Sequence, residues 1–252
     1  MTLVQLNSGS AQAYILPLDI ILQKSAQLAG NSIVSIDQEV QLKDGNKIYT
    51  VKENWLIEGD RNLKMSAHGV GELKDAININ YLYNNRNRIS FLGKNKMSKT
   101  LGGDIFEKYL AIKSKDSYES YLKELNISPT VRLSRAGGLV CFAVGTESTA
   151  GTVNPQMWID QNSFRLIKMR LPSNAEVEFT DYMEKDGVHY PRQKVISWDG
   201  KSVKITVTKI TTKTGATIKN FYPDSLDSSL AVSLANQGVA GATLEEFYSR
   251  FR

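Results

Sequence analysis

Cysteine is almost missing from this 252-residue chain. The single residue, Cys141, excludes an internal disulfide and a cysteine-based metal cluster. Its neighbours in the run Leu139-Val140-Cys141-Phe142-Ala143 make it a small buried side chain, compatible with the cytosol and a bacterial periplasm alike. Histidine is as scarce: His68 and His189 stand alone among strand residues, without H-E-x-x-H spacing. No P-loop or G-x-S-x-G pattern occurs, and Gly69-Val70-Gly71 is too short for a dinucleotide fingerprint. Glu176 and Glu178 alternate onto one strand face and keep it wet, and nothing indicates a second, desolvated carboxylate. These absences lead us to expect no catalytic residue, no metal and no cofactor.

A dominant charge is absent too. Lys and Arg number 31 against 26 Asp and Glu, a net charge of +5, and the signs are interleaved. That describes a mixed solvated surface rather than a nucleic-acid footprint. No apolar run approaches the ~20 residues that a membrane-spanning helix needs. The stretch Met1–Ala13 has neither a basic region nor a continuous apolar core, so it is not an intact signal peptide, although Ala11-Gln12-Ala13 has the A-x-A form of a cleavage site.

With 41% hydrophobic and 23% charged residues, the chain has material for a sizeable core, and no linker-like segment divides it. Pro17, Asp19 and the spacing of Leu18, Ile21, Leu22, Ser25 and Leu28 predict a leading helix that stops at Gly30. The period then changes to two. Strands are expected at Ile33–Leu42, Lys47–Glu58, Leu63–His68, Ile77–Tyr83 and Ile89–Leu92, with Tyr49, Val51, Trp55 and Ile57 sharing a face on which Glu53 also falls. Lys94–Gly103 reads as a polar loop, Ile105–Ile112 as a helix capped by Asp104, and a second helix, capped by Asp116 or Ser117, runs to Leu125.

Strands resume at Thr130–Ser134 and at Leu139–Val144, whose two apolar faces suggest a central position. From Gln156 to Lys194 three alternating runs, punctuated by Asp160–Ser163, Pro172–Asn174 and Asp186-Gly187, predict an antiparallel meander. Val195–Trp198 and Val203–Ile210 form a further hairpin, Thr217–Phe221 a last edge strand, and Thr243 with Glu246 a capping box that opens a terminal helix. The result is a long, one-sided antiparallel sheet with few helices. Loose cover would leave an apolar cavity and tight cover a solid core, and the pattern leaves both open.

The meander resembles a known family. Trp158-Ile159-Asp160, Phe179-Thr180-Asp181-Tyr182 and Asp186-Gly187-Val188-His189-Tyr190-Pro191 resemble the W-I-D, F-x-D-Y and D-G-x-x-x-P pattern of the LolA/LolB-like superfamily of bacterial outer-membrane lipoprotein-sorting proteins. Arg61-Asn62-Leu63-Lys64-Met65 is similar to the family's R-P-x-L-F segment, with Asn62 in place of the proline and Lys64 in place of the aromatic. The resemblance implies an α+β, mainly β fold, a strongly curved antiparallel half-barrel of about eleven strands under a helical lid. It divides the chain into an N-terminal segment 1–15, a half-barrel domain 16–222 and a C-terminal extension 223–252 with a terminal helix.

It also implies a function: a periplasmic or envelope carrier of acyl chains of lipid or lipoprotein, with a signal peptide already removed. The alternative is an envelope sensor or interaction module that binds partner proteins on the same scaffold. The expected cavity lining is Leu18, Leu22, Tyr49, Val51, Trp55, Ile57, Leu63, Met65, Ile79 and Tyr81, and the family's lid-holding arginine corresponds to Arg61.

Overall fold

A computed structural model describes residues 15–84, 86–100, 102–213, 218–229, 234 and 238–252. Helix α1 (Leu18–Gln27) leads, with Asp19 in its first turn and Lys24 in its last, each matching the helix dipole. Strands β1 (Ile33–Asp44), β2 (Lys47–Ile57), β3 (Asn62–Gly69), β4 (Asn78–Asn84), β5 (Asn87–Leu92) and β6 (Asn95–Thr100) follow as a meander. A 3-10 segment (Phe106–Ala111) and helix α2 (Lys115–Glu124) then lead to β7 (Val131–Ala136), β8 (Leu139–Val144), β9 (Gln156–Asp160), β10 (Leu166–Arg170), β11 (Glu176–Lys185), β12 (Val188–Trp198) and β13 (Lys201–Lys213). Helix α3 (Gly238–Arg250) comes last.

All thirteen strands form one antiparallel sheet in the order β6-β5-β4-β3-β2-β1-β13-β12-β11-β10-β9-β8-β7. It is open, with β6 and β7 at its edges, and the two meanders meet where β1 pairs with β13. Asp186-Gly187 and Asp199-Gly200 close hairpins with both residues at positive φ, the type I′ geometry that suits strand twist. Pro191 has no N–H to give the ladder, and near it, on β11, Asp181 turns to φ 53°. Thr208 is an extra residue where the β1–β13 register shifts. Such interruptions bend a strand, and a curved sheet needs them.

One face of the sheet is the core. Ile36, Val40, Val51, Trp55, Leu63, Met65, Ile159, Met169, Val177, Ile196 and Ile205 lie in one buried cluster with Ile21 and Leu22 of α1, Phe106 and Tyr109 of the 3-10 segment, Leu122 of α2, and Leu244, Phe247 and Tyr248 of α3. Ser25 of α1 hydrogen-bonds Tyr118 of α2 at 3.1 Å, tying those helices together.

Several elements differ from the sequence reading. The sheet has thirteen strands rather than eleven. Lys94–Gly103 is not all loop: Asn95–Thr100 is edge strand β6, exposed on both faces, so no alternation marks it, and Lys96 and Lys99 guard it against further pairing. The segment after Asp104 is 3-10 rather than α, because Phe106, Glu107, Lys108, Tyr109 and Ala111 are all buried and no single stripe organises it. Ser114, not Asp116 or Ser117, caps α2 by accepting the Ser117 N–H at 3.2 Å. Strand β8 is second from the edge, and its outer face is covered by a small second cluster of Ala136, Cys141, Ala143, Trp158 and Ile167. Ile218–Phe221 is 3-10 rather than strand, and Thr217 lies outside the described residues. Helix α3 begins at Gly238, so Thr243 is interior to it and donates its hydroxyl to the Val239 carbonyl at 2.9 Å.

Candidate functional site

The apolar residues singled out in the sequence converge. Leu22, Tyr49, Val51, Trp55, Ile57, Leu63, Met65 and Ile79 are buried in the main cluster, with Leu18 and Tyr81 packed against it. The face they make is occupied by α3. Phe251 sits 5.0 Å from Trp198, Phe247 6.4 Å from Trp198, and Phe247 and Tyr248 pack edge to face at 5.2 Å. Ile79 and Tyr81 also line a cleft of about 360 Å³ between the β5–β6 hairpin and α3. Arg61 is apart from this face. Its side chain is 66% exposed, 4.0 Å from Asp60, and lines a separate cleft of about 280 Å³ with Arg86, Lys108 and Tyr121.

At the centre of the apolar face lies a buried charged cluster. Glu53 of β2 is held by Gln38 Nε2 at 2.6 Å and Trp55 Nε1 at 2.9 Å. Arg252, immediately beyond α3, donates from Nε to Glu53 at 3.0 Å, and its Nη2 lies 3.4 Å from Glu107. Its guanidinium is stacked among Phe247 at 4.6 Å, Phe106 at 4.8 Å and Trp55 at 5.4 Å. Lys194 of β12 binds both Glu107 oxygens, at 2.9 and 3.1 Å, and Gln38 Oε1 at 2.7 Å, while the Tyr190 hydroxyl donates to Glu107 at 2.5 Å. All four charged side chains have no solvent exposure.

Electrostatics favour the charged forms of Glu107 and Arg252. Burial raises the Glu107 pKa, but the charges of Lys194 and Arg252 and the hydrogen bonds from Lys194 and Tyr190 outweigh it and leave the group below the ordinary carboxylate value. Burial also dominates at Lys194 and lowers it, against the pull of Glu107. For Arg252 burial is outweighed by Glu53 and Glu107, so its pKa stands above the ordinary value.

Alternation along β2 puts Glu53 on the apolar face, and it does not name the partners that Glu53 meets there. Gln38 between Ile36 and Val40, and Lys194 in step with Ile196 and Trp198, are polar residues at inward strand positions, and that parity was the available signal. Arg252 gave none, because its contacts cross from the C-terminal residue to a strand near the start. Among the described residues, no group of three or more His, Cys, Asp and Glu side chains could hold a metal ion.

An open, curved antiparallel sheet with helices on its concave face is a LolA-like fold, and comparison with solved structures agrees. A domain from Vibrio parahaemolyticus named for outer membrane lipoprotein sorting superposes with a TM-score of 0.57 at 14% identity, covering 83% of this chain and 97% of its own. A LolA superfamily protein from Nitrosomonas europaea gives 0.57 at 12% identity, with 84% and 100% covered. A Desulfovibrio piger protein of a family of unknown function gives 0.55 at 10% identity, with 84% and 99% covered. The likeness is one of fold. No protein-family model and no curated protein matches the sequence. Among the described residues no helix is long and apolar enough to cross a membrane.

Proposed function

We propose that the protein is a carrier in the periplasm or cell envelope that shelters an acyl chain of a lipid or lipoprotein between the concave face and its helical cover. The observation that supports this reading is the form of the core. Eight of the ten expected lining residues share one apolar face of the sheet, Leu18 and Leu22 meet it from α1, and the cover is helical segments that lie on the sheet without joining its ladder. Helix α3 now fills that surface, so an acyl chain enters as α3 withdraws. Each buried methylene contributes about 0.8 kcal/mol, so a long chain can compete with one amphipathic helix. In this reading Arg61 acts at the lid, across the cleft it shares with Lys108 and Tyr121.

The test is binding of a fluorescent fatty-acyl probe to delipidated protein, together with mass spectrometry of lipid that co-purifies with it. Saturable binding near one chain per protein is expected, and a protein that takes up no acyl probe sinks the reading. The seating of α3 favours one second reading, an envelope sensor or interaction module whose concave face receives an amphipathic helix of a partner protein.

A further inference from the structure

The buried cluster is balanced only while α3 is in place. Glu53 and Glu107 face Lys194 and Arg252, two charges of each sign. Lys194 is committed to Glu107 and Gln38. Arg252 is the cation paired with Glu53, and it belongs to the segment that has to leave if an acyl chain is to enter. The parts that hold Glu53 stay behind: Gln38 and Trp55, on β1 and β2, keep the carboxylate aimed into the space that the guanidinium vacates. Trp55 and Phe106 remain as aromatic walls around that space.

A bare carboxylate facing an apolar chain is costly, whereas an incoming cation restores the balance and meets aromatic faces already in position. An incoming carboxylate adds a second negative charge. The resident fit is also incomplete. The Nη2 of Arg252 has the 3.4 Å ion pair with Glu107 but no hydrogen bond, and the nearby buried hydroxyl of Tyr83, stacked on Trp55, makes none either.

Resting on the acyl-chain reading above, we infer that Glu53, walled by Trp55 and Phe106, is a cation subsite in the floor of the ligand space, with Arg252 as its resident occupant. The ligand that replaces α3 is accordingly an amphiphile that pairs an aliphatic chain with an ammonium or guanidinium group.

The experiment compares dodecylamine, dodecanol and laurate, each below its micelle concentration, as competitors of a neutral fluorescent probe on the full chain. Hydrogen exchange of the α3 amides is followed in parallel. In the wild-type protein the amine should compete about tenfold better than the alcohol, laurate should be weakest, and amine binding should speed exchange in α3. Glu53→Gln should bring amine and alcohol together while alcohol binding survives.

Equal competition by alcohol and amine in the wild type overturns the inference and leaves the acyl-chain reading standing. So does an amine preference that persists in Glu53→Gln. Failure of all three to displace the probe overturns both. Displacement by an amphipathic peptide ending in Phe-Arg, with no displacement by the amine, overturns the inference in favour of a helix-binding module. The wild-type comparison is decisive even if Glu53→Gln does not fold.

Discussion

Lys194 sits in a strand whose inward neighbours are Ile196 and Trp198, and removing its charge leaves the buried Glu107 with Arg252, 3.4 Å away, as its remaining cation. The attraction between two buried charges offsets a desolvation penalty already incurred, so losing one partner costs more than the pair is worth. Lys194→Met should therefore destabilise the protein by about 3–5 kcal/mol, measured by urea denaturation, and adding Glu107→Gln should recover part of the loss. The pH dependence has a definite sign. With its folded pKa depressed, Glu107 stabilises the protein above the unfolded carboxylate value of about 4.3 and loses that contribution as pH falls through the folded value. The melting temperature should fall on acidification below about pH 4, and less steeply in Glu107→Gln than in the wild type. At this scale Glu53, Gln38 and Lys194 were legible as polar residues at inward positions. Gln38 and Glu53 face each other across the β1–β2 hairpin, but nothing local brings the 3-10 segment and β12 to the same point.

Helix α3 is fastened at its C-terminal end as well as along its aromatic stripe. Arg88, on β5, donates to the carbonyls of Tyr248 at 3.1 Å, Ser249 at 3.4 Å and Arg252, and Lys99, on β6, reaches Ser249 at 3.3 Å. Cations at the negative end of a helix satisfy carbonyls that have no partner within it. Arg250 adds Asp104 at 3.1 Å and the Ser173 carbonyl at 3.1 Å. Arg88→Ala should cost about 1 kcal/mol and raise amide exchange near 245–250 while leaving β12 and β13 protected. Equal acceleration in β12 would mean that α3 opens only with the sheet. The capping-box spacing points to a terminal helix, but the helix starts earlier, at Gly238. Thr243 and Glu246 have capping-box spacing, yet Thr243 bonds back to Val239 and Glu246 to Lys201 at 2.5 Å. The same local spacing serves a helix interior as well as a cap.

The whole molecule is two meanders closed by one distant seam. Every other neighbouring pair in the sheet is a hairpin or a short connection, whereas β1 and β13 come from opposite ends of the sheet-forming chain. Period-two patterning disclosed the meanders because each pairing is local. It passed over β6, which is wet on both faces and does not alternate, whereas β9, buried on both faces, lies in the meander that it predicts. It left open what covers the concave face, since no short-range pattern records where a terminal helix docks. The seam has a kinetic consequence. Joining β1 to β13 requires closing a loop that contains most of the sheet, and that entropy is recovered only when the seam and its core contacts form together. Local hairpins should form first and the seam late. Ile205 of β13, fully buried and paired with Val40 of β1, is a clean probe. Ile205→Val should cost about 0.5–1.5 kcal/mol, and in stopped-flow unfolding and refolding that loss should appear mainly as faster unfolding, with refolding little changed. A refolding rate that falls by the full amount would instead place the seam in the folding nucleus, with the two meanders assembling around it rather than before it.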